Sequence, residues 1–229
     1  EASWAPKIIS TLEGLGVYSL DVAIGTHPHF DHIGGMPAVI NAMPVGEYWM
    51  PELPFEMYTQ TFTNVALEEN GVKTNIAWNG KTIDWDKDCT VTILSPALGV
   101  EYSNVDANDY SIILRVEFGE NAMLFTGDAT VHAEQLAMFQ NEKELFDADV
   151  LKVAHHGSTS SSSYGFLEAV SARTAVISVG SKNDYGHPDF DILNRLRATG
   201  SEIFRTDKNG TVSIFMDGKA VSVETQKNK

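Results

Sequence analysis

The sequence predicts an α/β (α+β) fold in which sheets carry helices on their outer faces. Three observations point there. Apolar strand patterns alternate with helical ones, some strands follow one another as meanders, and 229 residues with 43% hydrophobic content suffice for a layered core. No repeat, heptad run or Pro/Gly-rich linker divides the chain, so one domain over residues 1–229 is expected.

The elements follow in order. Ile8, Ile9, Leu12 and Leu15 recur at helical spacing, with Gly14 and Gly16 closing the segment. Residues 20–25 (LDVAIG) read as a buried strand running into a polar loop. Residues 37–43 read as a short helix with Pro37 in its first turn, and 47–50 as a short strand. Tyr58, Phe62, Val65 and Glu69 mark an amphipathic helix over 57–70, ended by Gly71. Residues 77–85 read as a hairpin turning at Asn79-Gly80. Residues 90–94 alternate, and 111–125 fold back at Gly119-Glu120-Asn121. A helix over 131–146 precedes strands at 149–154 and 174–179, and Phe190, Leu193 and Leu196 share a face of a helix over 188–199. Strands at 211–216 and 220–224 close at Asp217-Gly218. Taken alone, the run Ser158–Ser163 reads as a flexible surface loop.

Sixteen Lys and Arg against 31 Asp and Glu leave a net charge of -15, which excludes an extended nucleic-acid coat. No apolar run approaches the roughly 18 residues of a membrane span, so no membrane contact by this domain is expected. Cys89, in the alternating segment DCTVTIL, is the single cysteine and excludes an internal disulfide or thiolate cluster.

Chemistry concentrates in loops that end strands. In Thr26-His27-Pro28-His29-Phe30-Asp31-His32, an extended backbone puts His27 and His29 on one side as two ligands of one metal. Asp31 and His32 come one turn later and can address a second ion. Leu124-Phe125-Thr126-Gly127-Asp128 ends an apolar strand with a carboxylate that can bridge two cations, though alone it would pass for an ordinary turn. His155-His156-Gly157-Ser158 and Asn183-Asp184-Tyr185-Gly186-His187 bring further nitrogen donors from other strands. His132, inside a helix, is left as a surface residue.

This set of motifs resembles the metallo-β-lactamase superfamily, and its HHGS and YGHP segments resemble the hydrolase domain of the ComEC/Rec2 competence proteins. The resemblance implies a four-layer αββα sandwich with a dinuclear site at the edge between the sheets. Relatives open with strands carrying an Asp-Val-Gly-Gln-Gly-Asp-like segment, whereas this chain begins at the following helix, so the expectation is either a trimmed fragment or a sandwich lacking its first strands. It further implies that His27 and His29 bind the first metal, that Asp128 is shared, and that Asp31, His32 and His187 complete the second. Segment 106–111 has no histidine where many relatives place one. His155 is therefore assigned to the first metal by inference, exchangeable with His156, and Asp109 is a possible substitute. Asp128 stands where β-lactam-opening enzymes commonly place cysteine, so β-lactamase activity is not expected.

Two divalent ions are expected, zinc before manganese or iron, since the donors are nitrogen and oxygen. The function implied is a phosphodiesterase acting on a small phosphodiester or a single-stranded nucleic-acid end. A non-catalytic module of a DNA-uptake or surface protein, or a thioester or lactone hydrolase, are the alternatives. Asp31 and His156 would act catalytically, with Ser158, Asn183 and Tyr185 on the substrate. Arg173, Lys182, Arg195 and Arg197 are candidate phosphate contacts. Residues 51–62 and 95–104, with Trp49, Phe55 and Tyr102, are expected to wall the pocket.

Overall fold

The computed structural model describes residues 5–100 and 106–227. After helix α1 (Ala5–Gly14), three strands form a parallel sheet in the order β1 (Leu20–Ile24), β2 (Val45–Pro51), β3 (Lys73–Ala77). Parallel neighbours need crossovers. These are α2 (Phe30–Ile33) with α3 (Met36–Ala42), then α4 (Tyr58–Glu69). Ala23 is paired with Tyr48 and Trp49 with Asn75, and β1 has no strand on its other side among the described residues.

A seven-stranded sheet follows. β4 (Thr82–Asp86), β5 (Cys89–Ser95), β6 (Ile113–Phe118) and β7 (Asn121–Phe125) form an antiparallel meander. β8 (Val150–Lys152), β9 (Thr174–Ile177) and β10 (Glu202–Arg205) continue it in parallel. Their crossovers are α5 (Val131–Gln140), α6 (Tyr164–Val170) and α7 (Phe190–Ala198). A short helix α8 (Thr206–Asn209) leads to the hairpin β11 (Val212–Met216) and β12 (Val221–Thr225).

Strand alternation sorts the side chains into layers. Ala23 and Tyr48 face outward onto Ile40, Ala66 and Leu67 of the helices. Val22, Ile24 and Trp49 face inward onto Val91, Ile93, Leu114 and Val116 of the larger sheet. That sheet's other face, through Ile113, Leu124, Leu151 and Ile177, packs on Ala133, Ala137, Leu167, Ile192 and Leu196. The result is the expected αββα sandwich. Each fully buried Leu or Ile in these layers contributes about 1.5–3 kcal/mol.

The structure corrects three expectations. Asn79-Gly80 is no hairpin turn: β3 pairs with β2 and β4 with β5, so the Asn-Gly step carries the chain from one sheet to the other. The helix expected over 131–146 stops at Gln140, where Asn141 turns extended, and a 3-10 turn at 143–145 follows. Ser158–Ser163 is not a loose surface loop, since Ser161 and Ser162 are fully buried. Helix α6 and strand β10 had no distinct signal in the periodicity.

Candidate metal centre

The loops leaving β1, β7, β8 and β9 meet at one rim of the sandwich, where the antiparallel half of the large sheet gives way to the parallel half. Strand ends at such a change of direction leave room for a site. Backbone hydrogen bonds tie the loops together: Ile112 N donates to Thr26 O at 2.9 Å, and His155 N to Gly127 O at 3.2 Å. Gly127 has φ +50, and a Cβ there would sit 3.1–3.2 Å from Thr26 and Ser111. Only glycine delivers Asp128 without pushing those loops apart.

Asp128 is the hub. Its Oδ2 lies 3.2 Å from His32 Nε2, 3.4 Å from His156 Nε2, 3.8 Å from His27 Nε2 and 3.9 Å from His155 Nε2. Asp31 Oδ2 approaches His156 Nε2 at 3.3 Å and His32 Nε2 at 3.8 Å, while the His32 and His156 Nε2 atoms are 3.2 Å apart. Two triads result, His27–His32–Asp128 and Asp31–His32–His156, each with its donor atoms within 4.8 Å of one another. The outer nitrogens are anchored: His27 Nδ1 pairs with Thr26 Oγ1 at 3.2 Å, His155 Nδ1 with Ser160 Oγ at 2.9 Å, and His156 Nδ1 with Ser178 O at 2.7 Å. Such contacts select the tautomer and turn each Nε2 inward.

Electrostatics favour a cation here. Burial, reinforced by His32, pushes His27 down to about 3, so its ring is neutral at physiological pH. Burial pushes the Asp128 carboxyl up, but the hydrogen bond from His32 and the surrounding imidazoles outweigh it and hold it well below the carboxylate range. His156 holds Asp31 below that range as well. Within this cluster His27 Nε2 and Asp128 Oδ1 are buried with no hydrogen-bond partner. Buried polar atoms are rarely left so. Lone pairs and carboxylates aimed at one point, with two of them unpaired, fit divalent cations.

Of the remaining expected residues, several lie near this hub but in neither triad. His29 stands edge-on to His27 with ring centroids 4.8 Å apart, outside both triads. His187 lies 6.0 Å from the His155 ring and faces Asp189 Oδ2 at 3.4 Å, so it too is outside the triads. His156, not His155, shares a triad with Asp31 and His32. Asp109 is paired with Thr130 Oγ1 and so is occupied. Asn183 spends its amide inside its own loop, donating to Gly180 O and His187 O and accepting from His187 N. Ser158 Oγ is likewise engaged with Ser160. Two of the three side chains expected on the substrate thus make hydrogen bonds that shape their loops. Tyr185 is 83% exposed and stacks on His187 at 5.8 Å.

Two cavities bear on the expected pocket, one opening from the triads and one lined by the expected wall segments. A cavity of about 590 Å³ opens directly from Asp31 and His156 and is bordered by Lys7, Ser178, Tyr185 and His187. Residues 52–54 and 96–100 line a separate cavity of about 640 Å³, Trp49 is buried between the sheets, and Phe55 packs on Tyr110. Tyr102 lies outside the described residues. Arg195 is half-buried and donates to Ser162 O, and Arg173 borders a cavity beside Asp147 and Asp149. Sequence reasoning missed Thr26, Ser160 and Ser178 as anchors of the imidazoles, and Lys7 on the cavity wall. Only the position of Thr26 beside His27 could have signalled one of them.

Residues 2–181 match the metallo-β-lactamase superfamily. The chain is 33% identical over 207 residues to ComE operon protein 3 of Bacillus subtilis, covering 90% of this chain and 26% of that protein. It is 33% identical over 217 residues to competence protein ComA of Neisseria gonorrhoeae, covering 95% and 28% respectively. The chain thus spans about a quarter of the length of these relatives. Among solved structures, CmlA, a diiron β-hydroxylase from Streptomyces venezuelae, shares the fold at a TM-score of 0.54 and 14% identity, covering 82% of this chain and 44% of that one. The chain belongs to the metallo-β-lactamase superfamily, among relatives of the ComEC/Rec2 competence type, and carries the metallo-hydrolase fold of that superfamily.

Proposed function

We propose that the chain is a metal-dependent phosphodiesterase acting on a small phosphodiester or the end of a single-stranded nucleic acid. The observation that carries this is the unpaired, buried His27 Nε2 and Asp128 Oδ1 within a converging set of imidazoles and carboxylates. His27, His32 and Asp128, joined by His155 whose Nε2 faces the same carboxylate, would hold one divalent cation and Asp31, His32 and His156 a second, with zinc suiting an all-nitrogen-and-oxygen set and manganese or iron as alternatives. Such ions, when bound, acidify a water toward neutral pH and offset negative charge on phosphoryl oxygens.

The chain's own residues supply the rest. Asp31, with its side chain 58% exposed, faces both the triads and the open cavity, where it can orient a water and accept its proton. His156 is held on Ser178 O and keeps Nε2 toward Asp31. Lys7 borders the cavity and can pair with a non-bridging oxygen, and Tyr185 stands at the mouth beside the leaving group.

Charge placement supports an anionic substrate despite the net charge. Residues 173–229 hold nine Lys and Arg against seven Asp and Glu, whereas residues 1–172 hold seven against 24. A second cavity of about 810 Å³ shares Lys7, Asn183 and Thr206 with the first and adds Lys182 and Lys227. A phosphodiester held at the metals would leave along this basic side.

The test is hydrolysis of bis-p-nitrophenyl phosphate and of a single-stranded oligonucleotide, after chelation and after adding back zinc or manganese. Turnover should vanish with the chelator and return with the ion. If neither ion restores hydrolysis of either substrate, the phosphodiesterase reading fails, and retained metal without turnover would mark a binding module.

A further inference from the structure

His155 and His156 adopt φ +47 and +53, a left-handed backbone that side-chain-bearing residues rarely take. Such a conformation persists only where its surroundings hold it. The serine run does so here. Ser158 N donates to His155 O at 2.8 Å, Ser161 Oγ donates to Ala154 O at 3.2 Å and to Ser158 O at 3.0 Å, and Ser160 Oγ meets His155 Nδ1 at 2.9 Å.

The run is itself anchored from behind. Val131 N donates to Ser160 O at 2.9 Å, and Arg195 Nη1 donates to Ser162 O at 3.1 Å. Glu134, in the first turn of α5, has no solvent exposure. Its two carboxyl oxygens accept the N–H groups of Ser162 and, at 2.9 Å, Ser163. It lies in α5 beside Ala133, whose helix packs through Ala133 and Ala137 into a core that includes Phe166 and Leu167 of α6. Burying a carboxyl among such groups is costly unless its contacts are used. Among the described residues, both hydrogen bonds of its carboxylate go to the serine run, and neither reaches a donor of the triads.

We propose that Glu134 is a positioning residue: it clasps Ser162 and Ser163 so that Ser160 holds the His155 ring with Nε2 toward Asp128. This rests on the cation site of the preceding reading but not on the phosphodiesterase activity. A carboxylate in one core thereby sets the direction of an imidazole in the site through four residues of intervening backbone.

The experiment uses the full chain and reads the metal, not turnover. Glu134→Gln keeps the side-chain shape but turns an amide NH2 against one of the two N–H groups. Ser160→Ala removes only the hydroxyl that meets His155. For each, and for the double variant, zinc affinity is measured by competition with a chromogenic chelator. The visible spectrum of cobalt(II)-loaded protein and the melting temperature of the metal-free protein are recorded alongside. Each single change should weaken zinc binding about tenfold and alter the cobalt bands. The double variant should lose less than the product of the two, since both act on one ring. Wild-type zinc affinity and cobalt spectrum in Glu134→Gln, with only a lower melting temperature, would overturn the proposal and leave Glu134 as a cap for α6. Should that variant not fold, Ser160→Ala decides, and unchanged affinity and spectrum there overturn it equally. A wild type that cleaves no phosphodiester leaves these measurements intact, whereas one that takes up no zinc or cobalt sinks both readings.

Discussion

The loop at residues 27–32 and the loop at residues 155–163 both deliver imidazoles to Asp128, yet they are built in opposite ways. The first is local. β1 runs out in an extended backbone, α2 begins at Phe30, and residues 30–33 follow ordinary helical geometry. The second is held from a distance, with two left-handed histidines kept in place by serines, Arg195 and a buried carboxylate far along the chain. A ligand set by its neighbours tolerates change around it. A ligand set by remote contacts does not.

Three substitutions separate these behaviours. Asp128→Asn strikes the point both loops share, where Oδ2 meets His32, His155 and His156. It should lower turnover on the order of 100- to 1000-fold and reduce bound metal, as elemental analysis would register. Full metal content with undiminished turnover would dissolve the idea of a common hub. Next in size is Gly157→Ala, since φ there is +85 and a Cβ would lie 2.5 Å from Pro188 Cβ. Chemical denaturation should show a loss of about 2–4 kcal/mol. Gly35→Ala, three residues past the first loop, meets nothing nearer than 3.7 Å and should stay within about 0.5 kcal/mol. Equal losses at both positions would erase the contrast.

The smallest effect concerns pH. Burial pushes Glu134 up to about 7, against the N–H groups of Ser163 and Ser162 and the nearby Arg195, which pull it down. A carboxyl whose folded pKa exceeds its ordinary 4.5 contributes stability that is full below that value and lost as pH rises through about 7. Glu134→Gln cannot titrate there. The stability difference, wild type minus variant, should therefore fall by about 1–3 kcal/mol between pH 5 and pH 8. Parallel pH profiles would show that the second loop carries no such burden.

What the sequence made legible follows the same division. The loop at 27–32 was readable as a donor cluster because its donors lie within six positions, but alternation did not give their directions, since His32 and not His29 shares a triad with His27. The layers were readable from strand alternation, as with Ile113 facing one way and Leu114 the other. Asn79-Gly80 misled because an Asn-Gly step reports a tight turn but not which sheet each flanking strand joins. The choice between His155 and His156 was closed to sequence, since a left-handed backbone at both leaves no periodicity to extrapolate. Asn183 and Ser158 look like substrate contacts by composition, and only the folded loops reveal that their polar atoms are spent. Glu134 drew no reading of its own, because its partners lie about thirty residues away, at Ser162 and Ser163.

The span between His27 and His156 has a thermodynamic consequence. A cation seated on Asp128 would cross-link segments more than a hundred residues apart, a tether absent from the unfolded chain. By mass action, free ion at a hundred times its dissociation constant adds about 2.7 kcal/mol to the folded state. The heat tolerance of this protein would then be a property of the surrounding medium as much as of the polypeptide.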